Sequence, residues 1–218
     1  MKKAFLLLAM LGLAGSSYAQ LSDEEYAYVT MDLQGILNLT MTTDPSVNFT
    51  FKSVPDYRNG ITKFNATKLD VDATVAWDLF AYASSDTWTQ VDAYSTNGQG
   101  VLPSTILEMK TSRINAATAE LKNFDTFSSL RGPTLSGVAS GVPTATTQYL
   151  AGGFGSGSTL SYQPGSATAN PLTNQFRIHY RMVPGIPALF TNSEVPLGTY
   201  AQSGYYYLEV VYALIEDL

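Results

Sequence analysis

The sequence is 218 residues long, contains no cysteine, and carries 18 acidic against 12 basic side chains, which gives a net charge of −6 at pH 7. The lack of cysteine excludes disulfide bonds, thiolate metal sites and cysteine catalysis. An acidic chain without a run of basic residues argues against nucleic acid and anionic membranes as partners.

The first 20 residues, MKKAFLLLAMLGLAGSSYAQ, have the parts of a secretory signal peptide. Two lysines precede an apolar run from Ala4 to Ala14, and the small residues Ser17 and Ala19 fit a cleavage site. We therefore predict a signal peptide over residues 1–19 and a single β-sandwich domain over residues 20–218, secreted or held at the cell surface. Because no other stretch approaches the roughly 18 apolar residues that span a bilayer, we expect no transmembrane segment in the mature chain.

The rest of the sequence consists of short runs in which apolar and polar residues alternate, separated by Gly, Pro, Asn and Ser. Such runs are typical of antiparallel strands, and their number and spacing predict an all-β protein, a sandwich or a barrel. The predicted strands are Tyr26–Leu33, Ile36–Met41, Val47–Val54, Lys68–Ala73, Trp77–Ala83, Ser104–Ser112, Thr144–Leu150, Gln175–Met182 and Tyr205–Ile215. One short helix is predicted over Ala116–Phe124.

Two segments between the strands carry turn or loop signals. Asn59-Gly60 is a strong hairpin signal, because a type I′ turn needs two residues that tolerate positive φ, but an ordinary surface turn is the interpretation we favour. The Gly- and Ser-rich stretch over residues 150–171 is interpreted as a long flexible loop or an inserted hairpin. It has no lysine or helix after its glycines, so it does not fit a phosphate-binding loop.

The single histidine, His179, lies in a strand whose alternation places Arg177, His179 and Arg181 on one face. The ordinary interpretation of this basic row is the solvated outer face of a half-buried strand, and the alternative is a contact with an anion or an acidic partner. One histidine without cysteine makes a zinc site improbable, and no nucleophile-elbow sequence is present. We therefore expect no enzyme activity, no metal and no cofactor.

Two further groups of residues are candidate binding sites. Asp70 and Asp72 share a strand face, which could suit calcium or a glycosidase acid pair, but the spacing lacks the glycine and terminal glutamate of a calcium loop. Exposed strand polarity is the better explanation for them. Trp77 alternates with apolar neighbours and is predicted to be core, whereas Trp88, in a predicted loop, is the candidate for stacking on a sugar.

The last predicted strand is apolar on both alternating faces, so it needs partners on each side. The N-terminal segment EYAYVTMDL could pair with it, either within one chain or by strand addition between copies. The residues that would make such an exchange between subunits are Tyr26, Tyr28, Val29, Met31 and Leu33.

Several segments resemble secreted proteins of Bacteroidota: a DYxNG turn (DYRNG), an LxV strand (LDV), a WxLxA strand (WDLFA) and a closing strand (YYLEVVYAL) similar to YxxxVxYxI, with Leu214 at the last position. The closing segment, with Gly198, Thr199 and Tyr200 before it, is also similar to the last strand of chaperone-usher pilins and spore-coat-U-like domains. The resemblance implies an immunoglobulin-like, pilin-like sandwich at the cell surface. The chain departs from these families in lacking the pilin disulfide and the lipoprotein cysteine.

Together these features predict a structural cell-surface protein, a pilin-like subunit of a fimbrium or surface layer, for which copies of itself are candidate partners by strand addition. The alternative is a secreted adhesin or glycan-binding module, whose partner would be a glycan or a surface protein. Trp88 and the basic row Arg177, His179 and Arg181 are the residues expected to contact such a ligand.

Overall fold

The computed structural model describes residues 30–113, 123–138, 148–152, 173–185 and 201–216. The backbone divides into two compact units, Met1–Gln34 and Gly35–Leu218. Of the first unit, the described residues Thr30–Gln34 are exposed and have no regular secondary structure. The strand predicted over Tyr26–Leu33 is therefore wrong for Thr30–Leu33, and its first four residues lie outside the described ranges.

In its described residues the second unit consists of short strands, two short α-helices and a 3₁₀ turn. In chain order its described elements are β1 (Leu37–Met41), α1 (Val54–Asn59), β2 (Ile61–Ala73), β3 (Trp77–Ala83), β4 (Thr87–Ala93), β5 (Leu102–Pro103), a 3₁₀ turn (Ser104–Ile106), β6 (Leu107–Arg113), β7 (Ser128–Ser129), α2 (Pro133–Ser136), β8 (Tyr149–Ala151), β9 (Thr173–Met182), β10 (Gly204–Tyr207) and β11 (Val210–Glu216).

These strands form antiparallel sheets, which confirms the predicted all-β sandwich. One sheet has five strands in the order β1-β2-β9-β6-β7, and a second has three in the order β11-β3-β8. The third sheet also has three strands, in the order β10-β4-β5. All pairings between these strands are antiparallel. In the described part of the chain no helix is long and apolar enough to cross a membrane.

The core lies between the five-stranded sheet and the β11-β3-β8 sheet. Alternation places Leu69 and Val71 of β2 on its inner face, and both are almost completely buried. Trp77 of β3 meets Phe176 of β9 edge to face, with ring centroids 6.3 Å apart. Large aromatic contacts of this kind join the two layers, because each ring removes much apolar area from water.

A chain of polar groups crosses the middle of this core. The hydroxyl of Tyr180 in β9 is hydrogen-bonded to that of Tyr212 in β11, and it lies 3.4 Å from Thr67 Oγ1 in β2. Tyr212 in turn donates to Met109 Sδ, 3.7 Å away in β6. Burial raises the pKa of both phenols, so they stay protonated. The bond from Tyr180 to Tyr212 therefore ties the two sheets together at a defined register.

The terminal strand packs on both of its faces, as its sequence requires. Tyr212 and Leu214 of β11 lie against the main core. On the other face, Ala213 and Ile215 pack on a second cluster of three buried side chains. Those three are Phe80, Val138 and Tyr149. The burial of both faces explains why the last strand is apolar throughout.

The surface turn expected at Asn59-Gly60 is the C-terminal end of helix α1, so this pair does not join the strands of a hairpin. The Asp56 carboxylate accepts the backbone N–H groups of Lys52 and Ser53 at the start of this helix, and these bonds lower the pKa of Asp56. Gly60 ends the helix with φ +70°, and a Cβ there would overlap the carbonyl oxygen of Met182. Both the C-terminal end of a helix and a type I′ turn require a residue with positive φ, and glycine adopts it without steric cost.

Several other strand boundaries differ from the predictions. The segment predicted as Val47–Val54 forms no strand, although Val47, Phe49 and Phe51 alternate inward onto the core. Tyr205–Ile215 is interrupted after Tyr207, so that β10 and β11 enter different sheets. Of the helix predicted over Ala116–Phe124, only the last two residues are described, and neither is helical.

We predict that Tyr212→Phe lowers the free energy of unfolding by about 1–2 kcal/mol, because it removes the buried hydroxyl that accompanies Tyr180. Urea denaturation measures this loss. Tyr94→Phe is the matched control, since Tyr94 is 68% exposed. Equal stability of the two variants would show that the bond between the sheets contributes nothing.

Candidate functional site

The first candidate region is the outer face of the five-stranded sheet, where the predicted basic row lies. The register of β2 on β9 shifts between Lys63 and Thr67, so a bulge faces His179. At its centre Asn65 has φ +52°, a conformation that asparagine tolerates better than most residues. Phe64 beside it remains 69% exposed, and its ring meets the imidazole of His179 at 5.6 Å. Bulges often place side chains at functional surfaces.

His179 is buried rather than solvated. Its Nδ1 accepts the backbone N–H of Asn65 at 2.9 Å, so this nitrogen carries no proton. The other ring nitrogen, Nε2, lies 3.1 Å from Ser112 Oγ and donates its proton there. Burial, reinforced by the charges of Lys110 and Arg177, lowers the pKa of His179. The neutral imidazole therefore holds the bulge of β2 to β9 and reaches β6.

The two arginines of the row differ in their surroundings. Arg181 pairs with Glu108 on β6, and its guanidinium lies 4.5 Å from the centre of the Phe127 ring. Arg177 is exposed, and the register places it between Lys68 on β2 and Ser112 on β6. The prediction of one solvated basic face is thus correct for Arg177 and wrong for His179.

Trp88 does not lie in a loop, contrary to the prediction. It belongs to β4, is half-buried and packs against the main core. Its Nε1 is buried and has no hydrogen-bond partner. The sequence does not reveal β4 because its apolar and polar residues do not alternate with burial: Val91 is 62% exposed, whereas Gln90 is half-buried. Trp88 packs on the core and does not project from a loop, as the sugar-stacking prediction assumed.

The second candidate region is one side of the sandwich, which we call the open side and define as the outer edges of β1 and β11. These two strands approach each other there. Within the described ranges, β1 pairs only with β2 and β11 only with β3. Both strands are therefore edge strands, with backbone groups available to a further strand.

The hydrogen bonds of β3 show which groups of β11 face the open side. The N–H groups of Ala81 and Ala83 point away from β11, to the carbonyl oxygens of Gln148 and Arg131. The neighbouring residues of β3 therefore bond to β11. Their partners are Val211, Ala213 and Ile215. The N–H and C=O groups of the intervening residues point to the open side, and these residues are Val210, Tyr212, Leu214 and Glu216.

Neither region contains a metal site: in the part of the chain that the structure describes, no three histidine, aspartate or glutamate side chains are grouped closely enough to hold an ion. Asp70 Oδ1 lies 3.9 Å from Lys68 Nζ, and both residues of this ion pair are half-buried. Comparison with protein-family models and with curated protein sequences gives no match.

We predict that stability falls as the pH drops below about 6.5 and that His179→Gln reduces this fall. The pKa of His179 lies below its ordinary 6.5 in the folded protein. Between these two pKa values the unfolded chain binds more protons, so the free energy of unfolding rises with pH and levels off above about 6.5. Urea denaturation from pH 7.5 to 5.0 tests this, and identical pH profiles for both proteins would contradict it.

Proposed function

We propose that the protein is a structural subunit of an extracellular filament or surface layer, exported by its predicted signal peptide. Its open side would accept the N-terminal segment of another copy as an added strand. The observation that supports this most is the edge of β11, a mainly apolar seven-residue strand that pairs on one side only within the described ranges. Long apolar edges of this kind promote pairing between chains unless they are covered.

Incomplete burial at the open side supports the same function. Leu37 and Met41 of β1 pair with residues whose side chains face the core, yet they are 38% and 39% exposed. Their partners on β2, Ala73 and Leu69, are 3% and 1% exposed. The inner face of the sandwich is therefore uncovered near its edge, and an added strand with apolar side chains would cover it.

The N-terminal segment has the composition of such a strand. Val29, Met31 and Leu33 alternate with polar residues, and Tyr26 and Tyr28 fall on the opposite face. The two described members of the apolar set, Met31 and Leu33, are 78% and 82% exposed. Exposed apolar residues in an extended segment gain burial by strand addition, and main-chain hydrogen bonds add to the affinity.

The second candidate function is a secreted adhesin or glycan-binding module. Trp88 is half-buried against the core, and the outer face around Arg177 offers a second surface for a ligand. A binding role there is compatible with a structural role, because filament subunits can also carry ligand sites.

We predict that the mature protein lacking residues 20–33 stays folded but forms no polymers. A synthetic peptide of residues 20–33 should bind this shortened protein, because it supplies the missing strand. Electron microscopy and analytical ultracentrifugation measure assembly, and fluorescence anisotropy measures peptide binding. Unfolding of the shortened protein would show that the segment completes its own chain, and unchanged assembly would show that it has no such role.

The matched test of the acceptor edge is Val211→Lys. Val211 lies on β11 but packs on neither hydrophobic cluster, so a lysine there should oppose strand addition with little loss of stability. Val91→Lys, at a position that is 62% exposed on β4, is the control. We expect Val211→Lys to abolish peptide binding and Val91→Lys to leave it unchanged. Equal effects of the two lysines would exclude β11 as the acceptor.

A further inference from the structure

We propose that the outer face of the five-stranded sheet binds an anionic polysaccharide through Arg177 and Lys110, with Phe64 stacking on a sugar ring. These residues come from three adjacent strands, since Phe64 lies in β2, Arg177 in β9 and Lys110 in β6. The site is separate from the open side and does not depend on the function proposed for it.

The first argument is that two neighbouring cations lack counter-ions. Arg181 is neutralised by Glu108, and Lys68 has Asp70 nearby. Within the described ranges neither Arg177 nor Lys110 forms an ion pair, although the chain has 18 acidic residues that could supply one. The register pairs Lys110 with His179, the residue two positions from Arg177 on the same face, so the two cations are diagonal neighbours.

The pKa of His179 supports this closeness. Both Lys110 and Arg177 contribute to lowering it, which shows that their positive charges act on the imidazole between them. Two like charges held close together repel each other, and an anion placed between them would relieve that repulsion. An arginine guanidinium also matches the planar geometry of a carboxylate and the oxygens of a sulfate.

The second argument is a hydroxyl proton at the same place that has no acceptor among the described residues. Because Asn65 donates to Nδ1 of His179, the ring must donate from Nε2 to Ser112 Oγ. The Ser112 hydroxyl proton is then directed to another acceptor. These hydrogen bonds leave the Ser112 hydroxyl as a donor beside Arg177 and Lys110, where it suits an oxygen of an anionic ligand.

The third argument is the position of Phe64. Exposing a phenylalanine ring to water is unfavourable. The bulge and the ring contact with His179 nevertheless hold Phe64 at the surface. A flat aromatic ring beside cations and a hydroxyl suits a sugar that carries a charged substituent, since the apolar face of the sugar covers the ring. Nucleic acid fits less well, because this acidic protein offers two free cations here and not the many that phosphate backbones need.

The test measures binding of the monomeric mature protein to soluble polymers by affinity electrophoresis at low salt. The probes are polygalacturonate, which carries carboxylates, dextran sulfate, which carries sulfates, and neutral dextran. Binding to either charged polymer, without binding to dextran, is the expected result, and the stronger of the two identifies the anionic group. Polyglutamate is added to distinguish an acidic peptide from a polysaccharide.

We predict that Arg177→Gln and Lys110→Gln each weaken polysaccharide binding by about fivefold or more. Phe64→Ala should weaken it as well, without changing its salt dependence, because the ring contributes no charge. Arg58→Gln is the matched control, since Arg58 is an exposed arginine in α1. An equal loss with Arg58→Gln would indicate non-specific attraction and overturn the proposal. No binding to either charged polymer, or tighter binding to polyglutamate, would overturn it too.

Discussion

Among the residues that the structure describes, the terminal strand β11 is packed on both faces but hydrogen-bonded along only one edge, and the architecture around it follows from this constraint. Its inner face is fixed to the opposite sheet by the bond between Tyr212 and Tyr180. Its outer face is covered by the cluster of Phe80, Val138 and Tyr149. With both faces occupied, the strand cannot turn its unpaired edge away from solvent without losing one of these contacts. The open side is therefore a consequence of how the strand is anchored.

Without a disulfide, this anchoring depends on packing and on buried hydrogen bonds alone. The phenols of Tyr180 and Tyr212 satisfy each other within the core, where an unpaired hydroxyl would be costly. The same contact fixes the register between the layers. A strand arriving at the open side would meet a preformed edge, so little reorganisation of the acceptor would accompany assembly.

On the outer face of the five-stranded sheet, partly buried hydrogen bonds also fix the positions of neighbouring strands. Nδ1 of the neutral His179 accepts a hydrogen bond from the backbone N–H of Asn65 in the bulge. Its Nε2–H donates a hydrogen bond to Ser112 Oγ. Three strands are thereby joined by one side chain. This fixes the positions of Phe64 and Arg177, and a fixed surface loses less entropy on binding a ligand than a mobile one does.

Much of the fold could be predicted because alternation is a local signal. Trp77–Ala83 was predicted with its observed bounds, and the inner positions of β9 follow from Phe176 and Ile178. The burial of His179 could not be predicted, since it depends on a bulge in β2, more than a hundred residues away in sequence. Asn59-Gly60 alone does not distinguish a turn from a helix end, because glycine serves both. Trp88 was assigned to a loop because β4, although it is the central strand of its sheet, has no apolar period.

Residue-resolved amide hydrogen exchange in β11 tests the unpaired edge most directly. In the monomer, the amides of Val211 and Ala213 should exchange slowly, because they bond to β3, while those of Tyr212 and Leu214 should exchange faster. In the assembled form all four should be protected. Uniform protection in the monomer would mean that the edge is already covered, and unchanged fast exchange after assembly would mean that β11 is not where copies join.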